Sequence, residues 1–429
     1  MKYLPINQEL FVLNRERYRK ELKPNALAIF NSNDEMPRNG DQEYPFRQSS
    51  DFFYLSGIDQ AKSVLILFPD CPIEKYREAL FLEETNEHIA VWYGKKYSKD
   101  EATAASGIKN VFWFDTFESA LKEMMSLCEY VYLNANENPR YSNPVPCRDF
   151  RFNHDLTKKF PAHKYERSAP IVSKLRLTKS PVEIELIKEA IDITAKGFDR
   201  VLNFVKPGVM EYEVEAEITH EFIRNRANGH AYYPIVASGP GACVLHYIEN
   251  NKECKSGDLL LLDFGAEYAN YAGDLSRTIP VNGKFTDRQK EVYNACLRVM
   301  KEAKKLMMPG TTIDKYHAQV CKVMEKELIG LGLFTEEDVK NQDPAKPLYM
   351  KYYMHGTSHF MGLDVHDVGT KQDVWQPGMV FSCEPGIYIN EEGIGVRIEN
   401  DILITENGNI DLMAHLPIEI EEIERLMAH

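Results

Sequence analysis

The C-terminal part of this 429-residue chain repeats itself, and that repeat limits the possible folds more than any single motif does. The capping-box sequence Ser180-Pro181-Val182-Glu183 opens a helix with proline in its first turn. An apolar stripe follows (Ile184, Ile187, Ile191, Phe198, Leu202 and Val205), and Lys206-Pro207-Gly208 stops it. A second capping box, Thr286-Asp287-Arg288-Gln289, opens another helix, which Pro309-Gly310 ends. After each helix comes a further helical stretch and then a strand-turn-strand unit. The first unit runs from Gly257 through the leucines 259–262 to Asp263, Gly265, Asp274 and Gly283. The second runs from Gly378 through Met379-Val380-Phe381 to Glu384, Gly386, Glu399 and Gly408. In both, the first carboxylate comes six residues after the first glycine and two before the next, and the second carboxylate comes nine before the last glycine. Only the spacing between carboxylates differs, eleven residues against fifteen. Three matched offsets predict two pseudo-symmetric α/β halves whose acids converge on one centre.

The chain is too long for one ordinary core, and residues before about 170 read as a separate α/β region. Ala26-Leu27-Ala28-Ile29-Phe30 and Ser63-Val64-Leu65-Ile66-Leu67-Phe68 have the apolar, branched character of strands. Loop clusters such as Asn31-Ser32-Asn33-Asp34 and Tyr141-Ser142-Asn143-Pro144-Val145-Pro146 punctuate them. A boundary near 165–180 gives an expected N-terminal α/β domain, residues 1–172, and a catalytic domain, residues 173–429. With 44% hydrophobic and 27% charged residues, the material for two cores is present. A formal charge of −14 argues against nucleic acid or an anionic membrane as partner, because phosphates need clustered Lys and Arg. No apolar stretch is long enough to span a membrane, and Met1-Lys2-Tyr3-Leu4-Pro5 lacks the apolar core of a secretory signal. The expected location is the cytoplasm. The eight cysteines are scattered singly without a CxxC, as expected of reduced, mostly buried thiols.

The chemistry follows from where the acids fall. Asp263 ends a leucine run that should be buried on both faces, and Glu384 follows a similar run. A carboxylate there carries a large desolvation cost unless hydrogen bonds or a cation offset it. One buried acid is often a structural group with a hydrogen-bonded partner. Four in matched positions, without as many adjacent cations, call for metal. The segment Met354 to Asp367 adds His355, His359 and His366, three of the chain's twelve histidines. Carboxylates with an imidazole suit Mn, Co, Fe or Zn and require no thiolate. Cys383 adjoins Glu384 on a strand, so its side chain should face the other way. Arg397 shares a strand face with Glu399, and two readings are open: it holds a ligand carboxylate or meets substrate, or it forms a plain structural ion pair.

Asp263-Phe264-Gly265, Ala272-Gly273-Asp274-Leu275-Ser276-Arg277-Thr278, the three-histidine segment, Cys383-Glu384-Pro385-Gly386 and Arg397-Ile398-Glu399-Asn400-Asp401 resemble the pita-bread metallopeptidases. Within that family the chain looks like an Xaa-Pro aminopeptidase, a likeness supported upstream by residues 41–52, Asp41 to Phe52, and by Val91-Trp92-Tyr93-Gly94. The resemblance implies a C-terminal pita-bread fold preceded by a creatinase-like α/β domain. It implies two divalent ions, foremost Mn(II), held by Asp263, Asp274, His359, Glu384 and Glu399, with Asp274 and Glu399 bridging. His246 and His366 match the histidines that assist catalysis, and Glu384 is the expected proton carrier. His355, Tyr388 and Arg397 match the lining of the proline pocket. Asn400 stands where the family usually has Asp. The implied substrate is a peptide with proline second, cleaved before the proline. A tertiary amide has no N–H for other proteases to bind, while its ring fits a shaped pocket. The close alternative is an Xaa-Pro dipeptidase with the same site. A non-catalytic pita-bread binding protein fits less well, since such proteins have lost ligands, and creatinase-like enzymes lack the ligand set. A homodimer or homotetramer is implied, with Trp92 and Asp41 as candidates for the rim of the site. A buried structural tryptophan is the alternative for Trp92.

Overall fold

The N-terminal strand segments join one six-stranded sheet in the computed structural model, which describes residues 2–142 and 144–428. Met1, at the expected non-secretory start, and Asn143, in the expected loop cluster, lie outside the described residues. Tyr3–Arg176 forms one compact unit, and the chain from Leu177 onward forms the second. The expected border at 172/173 falls inside the helix Ala169–Leu177, which runs on to the observed division.

In the first unit the strand Ala26–Asn31 lies mid-sheet, antiparallel to Val64–Leu67 and parallel to Tyr130–Leu133. Both faces of this hub are covered, which is why its sequence is an unbroken apolar run rather than an alternating one. Leu27, Ile29, Val64, Ile66, Ala79 and Phe81 pack on one face with Phe117, Leu121 and Met124 of the helix Phe117–Met125.

In the second unit the two expected capping boxes are formed. Ser180 and Glu183 exchange hydrogen bonds at the start of the helix Pro181–Phe204. Thr286 and Gln289 do the same for Asp287–Leu306. Each helix packs beside a second one, Glu211–Arg224 in the first half and Ile313–Gly330 in the second. Then come two three-stranded antiparallel sheets. One holds Ile235–Ser238, Leu259–Phe264 and Leu275–Pro280; the other holds Val380–Cys383, Asn400–Thr405 and Gly408–Asp411. The leucines of Leu259–Phe264 are buried throughout.

The unequal carboxylate spacing has a simple cause. The first hairpin is tipped by the short strands Ala266–Tyr268 and Tyr271–Ala272. Four-residue strands, Gly386–Ile389 and Ile394–Arg397, tip the second. The repeated glycine two residues after each first carboxylate stands where the tip folds back. A Cβ on Gly265 would lie 1.7 Å from the Gly273 carbonyl oxygen, and one on Gly386 would lie 2.4 Å from the Tyr388 hydroxyl. The halves also join directly: the Glu399 N–H donates to the Ser276 carbonyl at 3.0 Å, and the Arg397 N–H donates to the Thr278 hydroxyl at 3.2 Å. Among the described residues no helix is long and apolar enough to cross a membrane.

Candidate metal centre

Each of the four repeated acids sits at a strand end, so its side chain leaves the sheet where the backbone turns. Asp263 is paired across the ladder with Ile235 and Ser276. Asp274 precedes the return strand, and its N–H donates to Asp401 Oδ2 at 3.1 Å. Glu384 follows Val380–Cys383, and its N–H donates to the Thr357 carbonyl at 2.9 Å. Glu399 precedes Asn400–Thr405 and accepts the Ser276 hydroxyl at 2.7 Å. His359 is held between the strands and the acids: its N–H donates to Ser382 Oγ at 3.0 Å. Its Nδ1 faces the Phe360 carbonyl at 3.0 Å, which assigns the proton to Nδ1 and turns Nε2 toward the carboxylates. Nε2 lies 3.3 Å from Asp274 Oδ2 and 3.7 Å from Glu384 Oε1. Asp274, His359 and Glu399 each offer a donor atom within 4.8 Å of the others, a spacing that suits an ion.

The electrostatics favour added positive charge. Burial raises the pKa of Asp274, Glu399 and Asp401, and neighbouring carboxylates push each further up. Burial also pushes Glu384 up to about 7, against the pull of His359. His359 itself, although burial works against its charge, is raised to about 9 by Asp274 and Glu384. Three cationic groups, Arg397, His359 and Arg277, thus stand against four repeated acids plus Asp401. Protons can fill the deficit, but divalent ions fill it with charge and satisfy the oxygen lone pairs as well. A set of four carboxylates and one imidazole, with Asp274, Glu399 and His359 buried and Asp263 and Glu384 half-buried, fits hard or borderline divalent metal. The Cys383 thiol lies away from this set, 3.3 Å from the Tyr316 hydroxyl.

The three expected pocket residues form one hydrogen-bonded chain. His355 Nε2 and Arg397 Nη1 both lie 2.9 Å from the Tyr388 hydroxyl. Arg397 continues through Nη2 to Asp263 Oδ2 at 2.6 Å and through Nε to Ser276 Oγ at 2.9 Å. Arg397 is thus ion-paired with a carboxylate of the cluster. Burial, with Arg397 nearby, lowers His355 to about 3, so its ring is neutral at pH 7. The His366 ring packs edge-on to His359, centroids 4.5 Å apart. His246 is exposed on the loop before Tyr247. Trp92 and Asp41 lie in the N-terminal unit, both exposed; Trp92 at 75% exposure is not a buried structural tryptophan.

Sequence reasoning missed three participants. The Tyr232 hydroxyl hydrogen-bonds both Asp263, at 2.7 Å, and Asp274, yet it lies in an irregular stretch with no period to mark it. Ser276 bridges Glu399 and Arg397, and Asp401 receives the Asp274 N–H. Both stand two residues beyond a repeated acid, so strand alternation had the signal for them.

Comparison with known proteins agrees with this geometry. Residues 185–406 match Metallopeptidase family M24, and residues 11–132 match the Aminopeptidase P N-terminal domain. The chain is 36% identical to the Xaa-Pro aminopeptidase of Escherichia coli, over 98% of each chain. Among solved structures, a putative aminopeptidase P from Bacillus anthracis superposes with a TM-score of 0.91 at 35% identity, covering 98% of both chains. Aminopeptidase P from E. coli with the inhibitor Pro-Leu gives a TM-score of 0.88 at 34% identity, covering 99% of both.

Proposed function

The chain belongs to metallopeptidase family M24, and from that premise we propose how its site cleaves the bond between an N-terminal residue and a penultimate proline. The protein is a metallo-aminopeptidase of the Xaa-Pro aminopeptidase type. The observation that carries the reading is the full-length likeness, both domains included, joined to a buried excess of carboxylates at matched ends of a repeat.

Asp263, Asp274, His359, Glu384 and Glu399 would hold two divalent ions. When bound, such a pair acidifies water and polarises the scissile carbonyl. The protein groups then divide the remaining work. Glu384 takes the proton from the attacking water and passes it to the proline nitrogen as that bond breaks. His246 and His366 are assigned to stabilise charge developing on the carbonyl oxygen. His355 and the Arg397–Tyr388 pair form a rigid wall for the proline ring, because each polar group of that wall is already committed to a neighbour. Neutral His355 suits that place, since a charged ring would repel Arg397. Mn(II) is the proposed metal, a homodimer or homotetramer the proposed assembly and the cytoplasm the proposed location. Residues 1–172 are assigned to assembly and access, with Trp92 and Asp41 toward the rim.

Product analysis by mass spectrometry tests the reading: manganese-loaded enzyme meets Ala-Pro-Ala and Ala-Pro in separate tubes. Release of Ala from the tripeptide, with weak or no cleavage of the dipeptide, is expected. Cleavage of the dipeptide alone makes the protein an Xaa-Pro dipeptidase. No cleavage with manganese, cobalt or zinc overturns the substrate assignment.

A further inference from the structure

From the Glu399 backbone runs a chain of polar groups that the proposed chemistry does not use. Arg277 is fully buried, and its hydrogen bonds go to neutral oxygens. Its Nη1 donates to the Glu399 carbonyl at 2.7 Å and to the Ser276 carbonyl at 2.9 Å. Its Nε donates to the Pro417 carbonyl at 2.9 Å, and its Nη2 to Asn400 Oδ1 at 2.8 Å. The Asn400 amide then turns its other end to Asp411, with Nδ2 at 2.9 and 2.8 Å from the two carboxylate oxygens. Asp411 in turn accepts Lys304 Nζ at 2.7 Å and the Met413 N–H at 2.9 Å. Lys304 belongs to the helix Asp287–Leu306 and its side chain is partly exposed.

A buried guanidinium ordinarily takes a carboxylate partner. Here the nearest link in the chain is an amide, and the matching carboxylate stands one residue further out. Joining Arg277 to Asp411 takes a group with an acceptor on one end and a donor on the other, and the Asn400 amide has both. An Asp at 400 would pair with Arg277 directly but would set its carboxylate against Asp411, two like charges in a buried place. The amide therefore accepts from Arg277, donates to Asp411 and leaves Arg277 aimed at the backbone of Glu399.

We propose that Lys304, Asp411, Asn400 and Arg277 form a positioning chain that fixes the backbone of Glu399 and thereby sets metal affinity at the candidate centre. The proposal rests on Glu399 being a metal ligand. Its claim is about polarity: the chain works because donors and acceptors alternate, so reversing the middle pair should restore what breaking it removes. Asn400→Asp places two carboxylates together, and Asn400→Asp with Asp411→Asn re-creates one amide and one carboxylate in the opposite order.

The test titrates manganese(II) into metal-free, full-length protein by calorimetry and records the melting temperature of the same samples. N400D should weaken manganese binding by about tenfold to a hundredfold, the range for partners that orient metal ligands. The double variant N400D/D411N should recover most of that loss. K304M, a change at the partly exposed end of the chain, should weaken binding by about two- to fivefold, the scale of a partly exposed ion pair. Wild-type manganese affinity in K304M overturns the chain, even if N400D proves too unstable to purify. So does a double variant that binds no better than N400D. E399A separates this idea from its premise: if E399A binds two equivalents like wild type, the ligand assignment fails. If E399A loses metal while N400D and K304M do not, only the positioning chain falls.

Discussion

Asp263 and Asp274 in the first half, and Glu384 and Glu399 in the second, stand at matched ends of matched hairpins, yet the hairpins surround them differently. The first tip is short and turns through Ala269 and Asn270, both with positive φ. The second is longer, and it carries Tyr388 and Arg397 on facing arms, where the first has Glu267 and Ala272. Arg397 reaches from that tip to Asp263 in the first half, and Tyr232 of the first half links Asp263 to Asp274. The repeated strands thus place the acids, while side chains that the two halves do not share supply the groups that neutralise and orient them. Ligand substitutions should therefore act alike in the two halves, and substitutions at the tips should not.

The largest effect tests the shared part. Asp274→Ala and Glu399→Ala should each abolish both metal retention, by elemental analysis after dialysis, and turnover. If one variant keeps metal and activity while the other loses both, the acids are not equivalent and the centre is not built symmetrically.

Next come the two glycines. The Cβ of Gly265→Ala would press on the Gly273 carbonyl, backbone fixed by its own hydrogen bond to Ala266. That of Gly386→Ala meets the Tyr388 side chain at a longer distance, 2.4 Å against 1.7 Å. Overpacking against backbone should cost about 3 kcal/mol at Gly265, against about 1 kcal/mol at Gly386. Urea unfolding of the metal-free proteins measures both. Equal costs would mean that the two tips yield equally and that the backbone contact is no stiffer than the side-chain one.

The hydroxyls sharpen the contrast by function. Tyr232→Phe removes the bridge between two acids and should weaken manganese binding by about tenfold or more. Tyr388→Phe removes a partner of His355 and Arg397 and should raise KM for a proline peptide while leaving metal affinity within about threefold. The reverse pattern would exchange the roles of the two tyrosines.

How much of this was legible in the sequence depends on periodicity. Strands in the N-terminal sheet and the two capped helices follow from local patterns, and the fold bears those patterns out. The four acids stood out because the chain repeats; the longer second tip appeared only as a spacing of fifteen against eleven. Arg397 was visible as a neighbour of Glu399, but its reach to Asp263 was not, because that contact joins residues 134 positions apart. Tyr232 was invisible for a related reason: it sits where the backbone follows no repeating pattern, and only the closed fold brings it to the acids.

The smallest expected effect asks whether the repeat is also energetic. Ser180 and Thr286 cap their helices with the same pair of hydrogen bonds, and loss of such a cap costs about 1 kcal/mol. For a unit of this size that lowers Tm by about 2–4 °C. The partners differ, however. Glu183 is buried and also accepts the Tyr271 hydroxyl of the first tip at 3.0 Å, whereas Gln289 donates to the Gly257 carbonyl at 2.8 Å. Ser180→Ala leaves the Glu183 carboxylate in a buried place with one hydrogen-bond partner fewer, a larger loss than Thr286→Ala inflicts on a neutral amide. Differential scanning calorimetry should therefore show the greater drop for Ser180→Ala, and equal drops would mean that Tyr271 and the Ser180 N–H alone suffice for Glu183.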